Sequence, residues 1–390
     1  MLSLVCDLLT GAGRVRVLLD AHMIGAQETG NETYVANLWR SLSQLSDVDC
    51  AGAVQTEMQI AKHWGPLHSV CIGAQGNWPR VLYGLDRAAR AWGADVLHAN
   101  YVGALRCSIP QVVTVHDMSF RRHPGFFSMR DRLLFATLVP WSLRRAAAIV
   151  TVSEHAKSEI SAFHPGLAGK VIVTPLAPAP IFTGGARALP AEMAAKWGVH
   201  VPYVLAVGNL QPRKNLKTLL EAFAQLKPEL GPAQLVLVGP ETRRASADYR
   251  RIAELGLETD TVVTGYVTDE ELAALYRGAR LFVYPSLYEG FGLPIVEAMA
   301  CGTPVVCSCL ASMPEVSGGA AVLVDPRDAT ELASAILEVW SLPALRKDLA
   351  DRGLQRAAML SWTKTAAQTV DIYKWVLRDT GADTPRTTSI

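Results

Sequence analysis

The chain has 390 residues, 50% of them hydrophobic, more than one ordinary core accommodates and enough for two domains of roughly 150–200 residues each. Lysine plus arginine number 37 and aspartate plus glutamate 36, a formal charge of +1, so no global field favours nucleic acid. Seven cysteines, single apart from Cys307-Ser-Cys309, lack zinc-type spacing and read as reduced thiols of a cytoplasmic protein; no run of about 18 apolar residues offers a membrane span.

In chain order, the opening MLSLVCDLLTGAG has neither a basic leader nor a long apolar core. It is expected to be an overhang before the first strand, not a signal peptide. VRVLLD (15–20) is the first strand, and MIGAQETGNETYVANL (23–38) leads from it into a helix. Gly25 and Gly30 are expected to keep that entry loop close to a phosphate, although Gly30-Asn31 also reads as a simple turn. Asp47-Val48-Asp49 falls in a polar turn between a helix and a strand and is not taken as a metal site. ADVLHA (94–99), QVVTVHD (111–117) and AAIVTVS (147–153) are further strands. His116 and Asp117 stand at the end of one of them, where ligands of parallel sheets collect. Residues 121–147 mix aromatic and aliphatic side chains with six arginines. The segment reads as a domain helix carrying Pro140, and its basic amphipathic character allows peripheral contact with an anionic membrane face.

After the proline-rich TPLAPAPIF (174–182) the rhythm restarts: YVLAVGN (203–209), QLVLVG (234–239), TVVTGYV (261–267), RLFVYPS (280–286) and TPVVCS (303–308). Runs that are apolar throughout imply strands covered on both faces, hence parallel sheets flanked by helices. The fold class expected is α/β, two Rossmann-like domains whose sheets face an interdomain cleft.

The segment YEGFGLPIVEAMACGTPVV (288–306) carries most of the chemistry. LYEGFG is a strand-to-helix loop, Pro294 suits the first helical turn, and Gly302 supplies the stop. The N–H groups of Phe291, Gly292 and Leu293 are then free to hold an anion at the helix start, and Gly290 and Gly292 let the backbone approach a ligand. Glu289 and Glu297 are placed to accept hydrogen bonds from vicinal hydroxyls, one of a sugar and one of a ribose. The plainer reading makes Glu297 a first-turn helix acid and Glu289 a solvated loop residue. In GNLQPRKN (208–215), Gly208 and Asn209 follow a strand, Arg213 and Lys214 begin a helix, and Asn215 is expected to cap it. Cations at a helix start oppose the dipole, so an anionic partner explains Arg213 and Lys214 better than solvation does. In GYVTDEEL (265–272), Tyr266 and Val267 are expected beside a nucleotide base, and Asp269 reads as an N-cap. SWTKTAAQTVDIYKWVL (361–377) is a helix, and the tail after it is polar.

YEGFGLPIVEAMACGTPVV resembles the Glu-x7-Glu signature of the family 4 retaining glycosyltransferases, which have the GT-B fold. VLAVGNLQPRKNLKTLLEAF (204–223), VVTGYVTDEELAALYRGARLFVYPS (262–286), VVTVHDMSFRRHPGFF (112–127) and AAAIVTVSEHAKSEI (146–160) carry the likeness along most of the chain. The resemblance implies an acceptor-side domain over residues 1–180, a linker over 181–200, and a nucleotide-sugar-binding domain over 201–360. It also implies a helix crossing back to the first domain over 361–380, then a flexible tail over 381–390. It assigns His116 to the donor sugar near the reacting carbon, leaves Asp117 to the loop or an acceptor hydroxyl, and gives Arg213 and Lys214 the diphosphate. Asn209 stands where the family usually has an arginine. The implied reaction is transfer of a hexose, with retention, from a nucleoside-diphosphate sugar to a glycan or lipid-linked hydroxyl. GDP-mannose leads as donor, UDP-glucose is the alternative, and no metal or cofactor is required. A hydrolase using Glu289 and Glu297 as a pair, a sugar-nucleotide-binding subunit without turnover, and a phosphorylase or epimerase on the same architecture are the rival readings.

Overall fold

The computed structural model describes residues 14–25, 29–55, 67–73, 76–185, 188–209, 211–240 and 245–378. The opening 1–13 and the tail 381–390 of the sequence reading lie outside them. Among the described residues, seven strands form the first sheet: β1 (Val15–Asp20), β2 (Val48–Val54), β3 (Ser69–Cys71), β4 (Val96–Asn100), β5 (Gln111–Thr114), β6 (Ala148–Thr151) and β7 (Val171–Val173), ordered β3-β2-β1-β4-β5-β6-β7. Six form the second: β8 (Tyr203–Val207), β9 (Gln234–Val238), β10 (Thr261–Gly265), β11 (Leu281–Tyr284), β12 (Val305–Ser308) and β13 (Val322–Val324), ordered β10-β9-β8-β11-β12-β13. Every strand pair is parallel. In each half the order reverses beside the first strand, the switch point at which doubly wound sheets open a crevice.

The apolar runs do what two-sided burial demands. On β1, Val17 and Leu19 join the cluster that holds Tyr34 and Trp39, while Leu18 between them packs with Leu85, Ala88 and Leu97 on the opposite face. The second sheet repeats the alternation: Leu205 and Val236 look one way, and Val204 and Leu235 the other. Each such side chain contributes about 1.5–3 kcal/mol on burial, so a charge buried on either sheet needs a partner, as Asp20 of β1 has in Arg80.

Strands β2, β3, β7 and β13 were not legible as strands. Three of them are three residues long, and β2 reads VDCAGAV, with an aspartate and a glycine that score poorly for strand. Pairing from Val15↔Val48 to Asp20↔Ala53 makes it one. Its Gly52 is needed because a Cβ there would lie 2.3 Å from the Trp39 ring. The Asp-Val-Asp triplet therefore runs from the turn into the strand, Asp47 closing the turn and Val48 and Asp49 opening β2. Lys374 Nζ donates to Asp47 at 2.5 Å, and Arg16 stands 3.8 Å from Asp49.

Helix Met129–Arg145 is capped by Ser128, whose Oγ accepts the Asp131 N–H at 3.2 Å, and Pro140 lies within it. Helix Trp362–Leu377 follows the second sheet in sequence but packs on the first. Tyr373 Oη lies 2.6 Å from His98 Nδ1, Thr365 Oγ1 donates to the Pro175 carbonyl at 2.6 Å, and the Trp362 ring centre is 6.1 Å from that of Tyr34. A continuous hydrophobic cluster consequently runs from β1 through this helix to Phe282 and Ile295 of the second half. Among the described residues no helix is long and apolar enough to cross a membrane.

Candidate active site

The loop after β11 turns into helix Leu293–Ala300 through Gly292, whose φ of 96° is left-handed and costs a glycine little. Pro294 takes the second helical position and Gly302, at φ 71°, follows the end. Among the described residues the N–H groups of Phe291, Gly292 and Leu293 donate to no protein acceptor. The carbonyls of Glu289 and Phe291 both accept from Ser312 Oγ at 2.9 Å, which fixes the loop while leaving its amides unused.

The two cations converge on this loop. Arg213 and Lys214 end a short 3-10 turn after β8, Pro212–Lys214. Arg213 Nη1 donates to Glu289 Oε2 at 2.6 Å. Lys214 Nζ donates to Glu289 Oε1 at 2.7 Å and to Tyr284 Oη at 2.5 Å. Burial alone would raise the Glu289 carboxyl, but the charges of Arg213 and Lys214 outweigh it and hold the group near 2. Burial lowers Lys214 to about 8 against the pull of Glu289. Burial would likewise lower Arg213, but Glu289 raises it overall. The result is a buried carboxylate shared by two cations.

Asn215 stands at the N-cap of helix Leu216–Leu230, but its side chain bonds no helix amide; its Oδ1 accepts from Thr218 Oγ1 at 2.9 Å. At φ 57° its amide turns away and donates to the carbonyls of Pro285 and Pro326 at 3.2 and 2.5 Å, tying the cation turn to the β11 loop. Gly208 has φ 143°, and a Cβ there would meet Lys214 Cε at 2.8 Å; its carbonyl lies 2.2 Å from the position a Cβ of Gly239 would take. Glycine is thus favoured at 208 by the backbone conformation, with the lysine stem packed against it. A small cavity lined by Gly208, Lys214, Tyr284 and Pro285 lies beside this turn. Among the described residues the buried Oδ1 of Asn209, next to Gly208, has no hydrogen-bond partner, an acceptor left for something else.

Glu297 is buried on the helix, with Tyr276 Oη donating to its Oε2 at 3.2 Å. Burial, with the charge of Asp269 adding to it, raises this carboxyl to about 8, so it carries a proton at neutral pH. It is no solvated first-turn acid. Tyr266 is 58% exposed and Val267 is buried. The N-cap beside them is Thr268, not Asp269: its Oγ1 accepts the Glu271 N–H, and the Glu271 side chain returns to the Thr268 N–H, a complete capping box.

From the first half, His116 lies two residues beyond β5 rather than in it. Its Nε2 is 3.3 Å from Asn100 Oδ1 and its ring meets Tyr34 edge-on at 4.7 Å. Burial lowers the imidazole to about 4, leaving it neutral. Asp117 turns back on its own loop, accepting from the Ser119 N–H at 2.9 Å and from the Ser119 hydroxyl at 2.5 Å. Gly30 lies in a helix and not in the loop that leads to it. Gly30 sits in the first turn of helix Thr29–Leu42, exposed, with nothing within 4 Å of a Cβ; Gly25 is the left-handed glycine, at φ 83°, and its N–H donates to Glu32 at 2.7 Å. At Gly290 the backbone already approaches protein closely, since a Cβ would lie 2.1 Å from the His116 carbonyl oxygen.

Positions 213, 214 and 289 are joined by hydrogen bonds, and Glu297 lies close enough to feel the charge of Lys214. His116 and Asp117 meet the same loop at Gly290. Tyr284, Tyr276 and Asn100 completed this arrangement unannounced, since an isolated tyrosine or a strand-end asparagine has no spacing that marks it.

Two doubly wound parallel halves meeting over such a loop define the GT-B class of sugar transferases, and comparison with known proteins agrees. Residues 29–176 match the model of Glycosyltransferase Family 4 and residues 194–356 that of Glycosyl transferases group 1. O-antigen chain mannosyltransferase B of Escherichia coli is 36% identical over 267 residues, 67% of this chain and 70% of that protein. The MMP alpha-(1->4)-mannosyltransferase of Mycolicibacterium hassiacum is 41% identical over 176 residues, 44% of this chain and 42% of that protein. Among solved structures, HepE of Anabaena in complex with UDP and glucose superposes with a TM-score of 0.75 at 19% identity, over 93% of this chain and all of that one; at that identity the likeness is one of fold. The chain belongs to the family 4 glycosyltransferases, is a hexosyltransferase, and resembles bacterial mannosyltransferases.

Proposed function

We propose that this enzyme transfers mannose from GDP-mannose, with retention, to a hydroxyl of a glycan or lipid-linked saccharide on the cytoplasmic side of a membrane. The convergence of Arg213, Lys214 and three unpaired amides on one loop carries the reading. When the bond between the anomeric carbon and the diphosphate breaks, its electron pair goes to a phosphate oxygen. Arg213, Lys214 and the N–H groups of 291–293 would stabilise that developing charge. They supply the positive potential themselves, so the reaction as proposed requires no metal or other cofactor.

Glu289 would hold hydroxyls of the donor sugar, Glu297 the ribose, and Gly208, Asn209, Tyr266 and Val267 the rest of the nucleotide. The protonated state of Glu297 lets it both donate to and accept from a ribose. His116, neutral, would face the sugar near the reacting carbon, with Asp117 fixing its loop. The acceptor oxygen bonds to the anomeric carbon on the face the diphosphate leaves, and its proton passes to the departing phosphate oxygen. We assign the donor to the second half and the acceptor to the first, whose basic segment 121–147 would rest against an anionic membrane face. Exposed Met129 and Leu133 beside exposed Arg130 and Arg132 support that contact.

The names of the relatives in Escherichia coli and Mycolicibacterium hassiacum favour mannose. UDP-glucose is the other donor to test, since HepE was solved with UDP and glucose. The test is a donor panel with lipid extracts as acceptors, reading nucleoside diphosphate release. GDP release from GDP-mannose, lost in Lys214→Ala and Glu289→Ala with folding intact, is the expected result. Release only from another donor would refute the mannose assignment, and free sugar from a glycoside without nucleotide would refute the transferase reading.

A further inference from the structure

The side chains that join the two halves around the donor loop form a second constellation, and the mechanism above does not use it. Tyr288, buried, precedes Glu289 directly. Its Oη donates to Glu159, a buried acid of the first half, and accepts the Met118 N–H at 3.1 Å. Glu159 also accepts from Arg122 Nε at 3.0 Å. On the other side of Glu289, the Gly290 carbonyl accepts from Ser153 Oγ at 2.6 Å. Ser153 is the N-cap of helix Glu154–Phe163 and holds the Ala156 N–H with the same oxygen. The next two amides of that helix, Glu154 and His155, donate to the carboxylate of Glu315 at 2.9 and 3.1 Å, and Glu315 belongs to the second half.

We propose that Tyr288, Ser153 and Glu315, with Glu159 as receiver, form a latch that positions Glu289 and closes the donor loop over the reacting centre. This rests on the reading of residues 288–297 as the donor loop. The physical argument is one of placement. Glu289 stands between two residues, Tyr288 and Gly290, that are each hydrogen-bonded to the opposite half. Its carboxylate is meanwhile anchored to cations of its own half. A rigid-body opening breaks the Tyr288, Ser153 and Glu315 contacts together, because all three bridge the halves. Opening would also leave the Glu159 carboxylate short of a donor and the start of helix Glu154–Phe163 without its acid. Closure thus couples to the position of Glu289 through the backbone on both sides of it. The absent Cβ at Gly290 belongs to the same device, since any side chain there would hold the halves apart at the His116 carbonyl.

These are positioning residues: they act through Glu289 and through exclusion of water. The test uses the full chain, with Tyr288→Phe and Glu315→Gln made separately and together. Small-angle scattering of the protein without nucleotide should show the double variant expanded, by about 1 Å in radius of gyration, with melting of each half unchanged in cooperativity. With a donor that turns over, kcat for transfer should fall about tenfold or more in Tyr288→Phe, and the share of donor lost to water should rise about fivefold. Affinity for GDP or UDP, titrated separately, should stay within about twofold. Unchanged scattering in the double variant overturns the latch, as does a loss of nucleotide affinity equal to the loss of kcat. Should neither nucleotide bind the wild type, the donor reading fails while the scattering still decides the latch. Ser153→Ala serves as the second variant if Tyr288→Phe does not fold.

Discussion

Replacing Glu289 by glutamine removes the anion that two buried cations share. The carboxyl falls from its ordinary 4.5 to about 2, and at about 1.4 kcal/mol per pKa unit the folded state gains about 3 kcal/mol from keeping it ionised. Breaking a buried pair costs about 3–5 kcal/mol by mutation, so the two routes agree. The upper figure is not expected, because Lys214, already near 8, sheds its proton once its partner is gone and is not left as an uncompensated charge. The sign of the pH dependence follows from the lowered carboxyl. Its contribution is full above about 4.5 and is lost as pH falls through about 2. Urea unfolding of wild type and Glu289→Gln should therefore differ by about 3 kcal/mol at pH 7 and converge towards pH 2–3. All the partners lie in the second half, so the transition to read is the one that melts its sheet. A difference below about 1 kcal/mol at pH 7, or one that does not shrink in acid, would refute the account of a shared buried carboxylate.

Lys214→Ala should lower kcat by about 10²–10³, the usual cost of one preorganised donor to a departing oxyanion, in a nucleoside diphosphate release assay. Glu297 titrates in the opposite sense to Glu289. Its carboxyl is raised to about 8, so it favours the fold fully below 4.5 and loses that contribution as pH rises through about 8; thermal melts of Glu297→Gln should lack the wild type's decline across that window. Tyr373→Phe leaves His98 Nδ1 buried without its partner, and should cost about 1–3 kcal/mol by chemical denaturation, read in the first half although the residue follows the second in sequence.

The fold was legible where periodicity reports burial. Nine apolar runs placed nine strands, because a strand covered on both faces is apolar along most of its length and the pattern is local. Strands β3, β7 and β13 gave too few residues for a pattern. Composition spoke against β2, and only a neighbour in register made it a strand. The loop 288–302 was legible for a related reason: Gly292 and Gly302 state backbone requirements by themselves, and Pro294 states the helix start. The requirement at Gly290 is different in kind. It comes from the carbonyl of His116, a residue 174 positions earlier in the chain, and no local signal separates it from Gly292.

The sequence by itself determined the two parallel sheets, the glycine-marked turn into helix Leu293–Ala300 and the residues of the loop 288–302, since these depend on what each segment needs from its immediate neighbours. The tertiary structure alone decided the partners. Arg213 and Lys214 share Glu289, Tyr276 meets Glu297, Tyr288 reaches Glu159, and helix Trp362–Leu377 returns to the first sheet. Charge and hydrogen-bonding capacity are written in a side chain, but which group satisfies them depends on which surfaces the packing brings together, and that is a property of the whole chain.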